Sequence, residues 1–418
     1  MGPDPLAFQD GRTRAYERAA AFGLSHVLFA RSPGGAVASA RRTAAFRPQI
    51  DEAVEGSGFD ADLLEAIVFL ESAGRPDVIA GDDPENASGL TQILAETATN
   101  FLGMRVDLAA SRRLTRWIER ARRRGDAAAV ARLRERRRLI DDRFDPRLAL
   151  AGTVRYLTEA RRRFGAEDFA VVSYHMGIGN LEGVLRTYSG RFDGPIEEVV
   201  DEEELDYARV YFDSSPANHR DAWERLASFG DDSQTYYWRV LAAREVMRLF
   251  REDPAELERL AELHGRGPSA ELVLHPPGST PRLDDVAAEL GRGRLSALPN
   301  DPGRLHFRVE RLRAEPAALG PKALALLRYL AAQVYEQSGE KAPLVVTAAA
   351  YAEVPGLPHS SVHATGYAFD VRRRYGSGAQ AAAFQWTLER LRALGLIAWS
   401  RDPARIHVTV SPEAAVRG

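Results

Sequence analysis

Over residues 46–252 apolar positions recur at intervals of three and four, with Gly or Pro at the ends of the runs. DADLLEAIVFLES, LTRWIERARRRG, DPRLALAGTVRYLTEARRRFG and TYYWRVLAAREVMRLFRED each predict an amphipathic helix. Residues 1–45 lack a strong period and carry the turn signal SPGG at 32–35. A stretch at roughly 265–320, with HPPGSTP and LPNDPG, predicts a linker or small module. Beyond it PLVVTAAAY, GYAFDV and RIHVTV are short β-like runs, separated by the helix AQAAAFQWTLERLRALG. The expected organisation is α+β and multidomain. An N-terminal segment (1–45) precedes an all-α domain (46–252). A linker or small module (253–317) then leads to a small α+β domain with an antiparallel sheet (318–418).

Composition narrows the classes. A chain of 418 residues, 45% hydrophobic and 28% charged, fits a soluble protein of two or three domains. A net charge of −3 argues against a nucleic-acid binder. The absence of cysteine excludes disulfides, thiolate nucleophiles and thiolate metal sites. No run approaches the roughly 18 apolar residues of a membrane span. The stretch AAAFGLSHVLFA (19–30) holds a serine and a histidine and follows Asp4, Asp10 and Glu17. It reads as an amphipathic helix rather than a signal peptide. The charge is uneven: fourteen arginines face six acids between Arg112 and Arg147. Residues 104–143 therefore predict a charged helical insertion, a hairpin turning near Gly125 and Asp126. It is either a solvated surface or a contact for an anionic wall polymer.

One glutamate stands out. In a helix capped by Asp60, Leu63, Ile67, Leu70 and Glu71 share a face, whereas Glu65 lies off it. Glu71 occupies the last turn, before Gly74 and Pro76. Burial and the negative end of the helix dipole both favour its neutral form. A carboxylic acid still protonated near neutral pH suits general-acid cleavage of a glycosidic bond. Downstream lie ASGLTQI (87–93), FDPRLALAGTVRYL (144–157) and AVVSYHMGIGNLEGVL (170–185). Gln92 offers an uncharged hydrogen-bonding group for sugar hydroxyls. Tyr174 offers a ring and a hydroxyl, and Gly177 and Gly179 allow close backbone approach.

In this order the segments resemble the lytic transglycosylases of lysozyme-like (SLT-type) fold, whose pattern is ES, G-L-M-Q, a DP-containing helix ending in YL, and A-x-Y-N-x-G. The likeness covers roughly 50–250. It implies that Glu71 is the acid/base, that Ser88, Gly89 and Gln92 form the substrate-groove turn, and that Tyr174 is the tyrosine near the acid. Gly177 and Asn180 complete the expected substrate-binding set. Thr91 stands where the family has methionine and His175 where it has asparagine. The implied reaction is cleavage of the MurNAc–GlcNAc β-1,4 bond of peptidoglycan to a 1,6-anhydro product, in the periplasm or cell wall. The sugar's own 6-hydroxyl would act as nucleophile. The alternatives are a goose-type lysozyme, with Asp82, Asp83 or Glu85 as base, and a non-catalytic wall-binding protein.

The second informative stretch is HSSVHATGYAFDV (359–371). Strand alternation turns Asp370 away from Tyr367, Phe369 and Val371, and His407 away from Ile406, Val408 and Val410. His363, Asp370 and His407 then form a candidate zinc set with a fourth position left to water. The run S-x-H-x-x-G-x-A-x-D, from Ser361 to Asp370, resembles the zinc D-Ala-D-Ala carboxypeptidases of hedgehog/D,D-peptidase fold, over about 318–412. That resemblance implies a stem-peptide-binding or trimming module. It also implies a general-base glutamate three residues before the last histidine, where this chain has Ala404, with Asp402 the nearest acid. The family's arginine after the LVVT strand is absent from AAAY.

Overall fold

Two helices, Ala61–Ser72 and Tyr236–Glu252, pack together at the centre of the helical part. The computed structural model describes residues 4–310, 316–352 and 362–416; Ser361, at the head of the metal-type motif, lies outside them. Asp60 caps the first helix by accepting the Asp62 N–H at 2.9 Å. Leu63, Leu64, Ile67 and Val68 are at most 2% exposed, each worth about 1.5–3 kcal/mol relative to exposure. Ile67→Asp would leave an unpaired carboxylate in this core. Ala73 and Gly74 end the helix at φ 53° and 70°. A Cβ at Gly74 would lie 2.5 Å from the Thr43 nitrogen, so only glycine fits there.

Glu65 corrects the one-sided reading of this helix. It is 1% exposed and ion-paired to Arg47, at 3.4 Å, and to Arg251. The Arg47–Val54 and Tyr236–Glu252 helices flank the Glu65 side, which leaves that side no route to solvent.

Residues 1–45 join the same core. Helices Thr13–Gly23, His26–Arg31 and Ala36–Ala44 contribute Ala20, Leu28, Phe29 and Ala40. The arginine-rich insertion is a hairpin of helices Leu108–Arg123 and Ala127–Arg138, turning at Gly125 (φ 71°). Asp126 caps the second arm through the Ala129 N–H at 2.8 Å.

In the C-terminal part, β1 (Ser296–Ala297) pairs antiparallel with β3 (Ala318–Leu319). A five-stranded sheet combines β2 (Phe307–Val309), β4 (Leu344–Ala348), β5 (Ala368–Arg372), β6 (Ile397–Arg401) and β7 (Arg405–Val410) in the order β2-β4-β5-β7-β6. The sheet is mixed rather than antiparallel, because β2 runs parallel to β4. Helix Pro321–Ser338 lies between them in sequence and is the crossover a parallel pair requires. Helices Pro321–Ser338 and Gly378–Ala393 pack together, with Leu326, Leu330, Phe384 and Leu388 in one core with Phe369 and Val408. The edge strand β2 comes from upstream of residue 318, so the 253–317 segment is built into the sheet.

The two parts interlock. A Cβ on Gly23 would lie 1.9 Å from the Arg392 carbonyl oxygen, and Trp386 donates from Nε1 to the Ser214 carbonyl at 3.0 Å. The buried Arg390 guanidinium stacks on Tyr211 at 3.5 Å. Among the described residues no helix is long and apolar enough to cross a membrane.

Candidate functional site

Glu71 lines a cavity of about 230 Å³. Tyr236, the first residue of its helix, donates its hydroxyl to Glu71 Oε1 at 2.6 Å. Burial raises the Glu71 carboxyl above its ordinary value of 4.5, while the Tyr236 hydrogen bond and the Arg239 charge pull it down. Burial wins, and the carboxyl is pushed up to about 7. Burial and the neighbouring carboxylate together drive Tyr236 far above its usual range, so this phenol stays protonated and donates. With Oε1 engaged, the acid proton belongs on Oε2.

Arg31 and Arg239 line this cavity and also a second one of about 470 Å³, which reaches Trp399 on β6. The two cavities are thus neighbours across Arg31 and Arg239, one lined by Glu71 and the other by β6 of the C-terminal sheet. The N-terminal helices and Tyr236 carried no signal for this role in the sequence beyond the aromatic cluster TYYW.

The turn at 87–93 is held from beneath. Ser88 and Ile93 exchange backbone hydrogen bonds at 3.1 Å. Gly89 has φ 85°, and a Cβ there would lie 1.8 Å from the Arg143 carbonyl oxygen. Its glycine therefore serves chain packing. Gln92 donates its amide to the Val78 and Gly89 carbonyls at 3.1 and 2.9 Å, which ties the turn together. Tyr174 donates to the Thr91 carbonyl at 2.7 Å and lies beside Tyr236, with ring centroids 6.5 Å apart. Gly177 takes φ 85° between two helices, and Asn180 donates to the Met176 carbonyl at 2.9 Å. His175 lies 5.1 Å from the Tyr236 ring.

Arg143 is the residue the pattern concealed. It reads as one more basic position of the insertion, yet it is fully buried. It donates to the carbonyls of Pro84 (2.6 Å), Asn86 and Ile93 (both 3.2 Å), and to both oxygens of the buried Asp141. Of the candidate bases of the lysozyme alternative, Asp83 pairs with Arg112 at 2.8 Å and Glu85 with the same guanidinium, while Asp82 lines a separate cavity of about 860 Å³ beside the arginine-rich hairpin.

The second cluster joins His363, Asp370 and His407, whose donor atoms lie within 4.8 Å of one another. Register on adjacent strands pairs Asp370 with His407. Asp370 Oδ1 faces His407 Nδ1 at 2.8 Å and His363 Nε2 at 3.2 Å. His363 Nδ1 lies 2.9 Å from the Ala349 carbonyl, which can only accept, so Nδ1 carries the proton. Nε2 then meets the carboxylate oxygen either as an N–H donor of the charged ring or, in the neutral ring, as a bare lone pair. The neutral arrangement is repulsive and would be relieved by a cation held by both atoms, so the donor set is compatible with a metal ion as well as with a hydrogen-bonded triad.

Burial alone would raise Asp370, but the hydrogen bonds from His363 and His407 hold it far below the carboxylate range. Burial likewise opposes charge on His407, and Asp370 and Glu271 overcome it to lift the ring to about 9.

Glu271 is a further residue that sequence reasoning missed. It comes from the short Glu271–Leu274 helix of the 253–317 segment and meets His407 Nε2 at 2.9 Å. Asp402 is engaged by Arg405 at 2.8 Å, and Arg405 in turn contacts Asp370 Oδ2 at 2.8 Å. Ala404 lies at the β6–β7 turn and provides no base.

No protein-family model matches this chain, and no curated protein matches it.

Proposed function

We propose that the chain is a peptidoglycan lytic transglycosylase in which Glu71 is both general acid and general base. The observation that carries this reading is a carboxyl held by Tyr236 at 2.6 Å on the wall of a cavity, where burial pushes it up to about 7. Near neutral pH the Oε2 proton is available for a glycosidic oxygen. After the bond breaks, the carboxylate accepts the proton of the sugar's 6-hydroxyl, which closes the 1,6-anhydro ring. No second carboxylate is then required. The ion pairs of Asp83 and Glu85 with Arg112 weigh against these two as the water-activating base of the lysozyme alternative.

The C-terminal module, on the same reading, binds stem peptides. His363, Asp370 and His407 would hold zinc, which when bound would polarise a peptide carbonyl. Ala404 in the base position and AAAY in place of an arginine favour binding over turnover. The substrate sets the compartment as periplasm or cell wall.

The test is digestion of purified sacculi by wild-type protein and Glu71→Gln, with mass spectrometry of released fragments. Anhydro-ended products from the wild type and about 100-fold less from the variant are expected. Equal release by both would sink the reading, and reducing-end products would favour the lysozyme.

A further inference from the structure

The arginine-rich hairpin closes a larger cavity, about 860 Å³, against the loop that follows the Glu71 helix. Eight arginines line it against three acids, Asp77, Asp82 and Glu119. Two of those acids are already engaged. Asp77 bridges Arg134 and Arg137, each at 3.1 Å, and Glu119 pairs with Arg122 at 2.5 Å. Among the described residues no carboxylate pairs with Arg42, Arg75, Arg116, Arg120 or Arg123. Arg137 is 2% exposed, and its Nε is buried without a hydrogen-bond partner. Burial brings its guanidinium down to about 10, while its pairing with Asp77 opposes this.

Positive groups gathered around a concave wall repel one another and focus a field that attracts anions. The guanidinium fork matches the paired oxygens of a carboxylate or phosphate. Arg75 lines both this cavity and that of Glu71, so a ligand in one is within reach of a chain lying in the other. Nucleic acid also offers phosphates, but the described lining contains no aromatic ring on which a base would stack.

We propose that this cavity is an oxyanion subsite, which takes carboxylate or phosphodiester groups carried on the polymer that Glu71 cuts. The two sources are the stem-peptide carboxylates and a phosphate-bearing polymer attached to the glycan; that the carrier is peptidoglycan rests on the function proposed above.

The experiment compares the full chain with Arg120→Gln/Arg123→Gln, both exposed positions that pair with no carboxylate among the described residues. Co-sedimentation with sacculi at low salt is measured alongside binding of inorganic pyrophosphate and of a single-stranded DNA oligonucleotide. The double variant is expected to bind sacculi and pyrophosphate about tenfold more weakly, as two exposed charge contacts would give. Wild-type binding is expected to fall as salt rises. Sacculi stripped of stem peptides by an amidase, or of phosphate polymers by acid, identify the source by which treatment removes the difference between the proteins. Equal sacculus binding by both proteins, or tighter binding of the oligonucleotide than of sacculi, overturns the proposal. Glu71→Gln separates the two readings. A wild type that releases no sugar but still loses sacculus binding on arginine substitution leaves the subsite standing and removes the enzyme.

Discussion

Glu271 meets Nε2 of His407 at 2.9 Å, while Nδ1 of the same ring faces Asp370 at 2.8 Å. The imidazole is thus clamped between two carboxylates that come from separate segments of the chain. With a metal on the Nδ1 side, Glu271 would fix the tautomer and raise the basicity of the ligand nitrogen. Glu271→Gln is expected to weaken zinc binding by about 10- to 100-fold, measured by competition with a chromogenic chelator. The fold should persist, because Glu271 is on a four-residue helix. Unchanged affinity would mean that the linker segment has no part in the metal site.

If the proposed function holds, the Glu71 pKa would set the pH dependence of glycan release. The protonated carboxyl would then be the donor, so the rate should be level below about 7 and fall about tenfold per unit above it. Initial rates of sacculus solubilisation between pH 5 and 9 test this. A rate that rises through pH 7 contradicts an acid role.

Tyr236→Phe removes a hydrogen bond that holds the Glu71 pKa down. The alkaline limb should therefore move to higher pH, while the maximal rate drops because Oε1 is no longer fixed. A change in rate with no movement of the limb would reduce Tyr236 to a packing role.

Much of this arrangement was legible because it is local. The three-four spacing around Ile67 fixes which face Glu71 occupies, and Asp60 marks the start of its helix. Alternation in GYAFDV and RIHVTV turns Asp370 and His407 to one side of adjacent strands. What escaped depends on distance along the chain. Tyr236 lies 165 residues from Glu71, and Glu271 lies 136 from His407, separations at which no period or cap carries information. Strand β2 is three residues long, too short for alternation to register, and its parallel partner is fixed by the crossover helix. Arg143 was hidden for another reason: its type belongs to a solvated charge run, and only its burial with Asp141 distinguishes it.

That burial has a measurable consequence. Asp141→Asn leaves the Arg143 guanidinium uncompensated among the Pro84, Asn86 and Ile93 carbonyls. Breaking a buried pair from one side costs about 3–5 kcal/mol. Denaturant unfolding should show a loss of this size, with the 87–93 turn the first part to gain amide exchange. A variant as stable as the wild type would show that solvent reaches the pair.

Stability should also follow pH through Glu71. Its ordinary pKa of 4.5 describes the unfolded chain and about 7 the folded one. Below 4.5 both states hold the proton and the neutral side chain carries no penalty. Between 4.5 and 7 the folded state binds more proton than the unfolded one, so stability falls as pH rises and levels off above 7. Glu71→Gln is neutral throughout and escapes this loss. The difference in Tm, variant minus wild type, should therefore grow from pH 4.5 to 7 and then stay constant, as expected where a site keeps a destabilising group for its chemistry. Calorimetric scans at pH 4.5, 6 and 8 decide it. A difference that does not change with pH would mean that Glu71 titrates like a solvated carboxylate, and the proton donor would have to be sought elsewhere in the cleft.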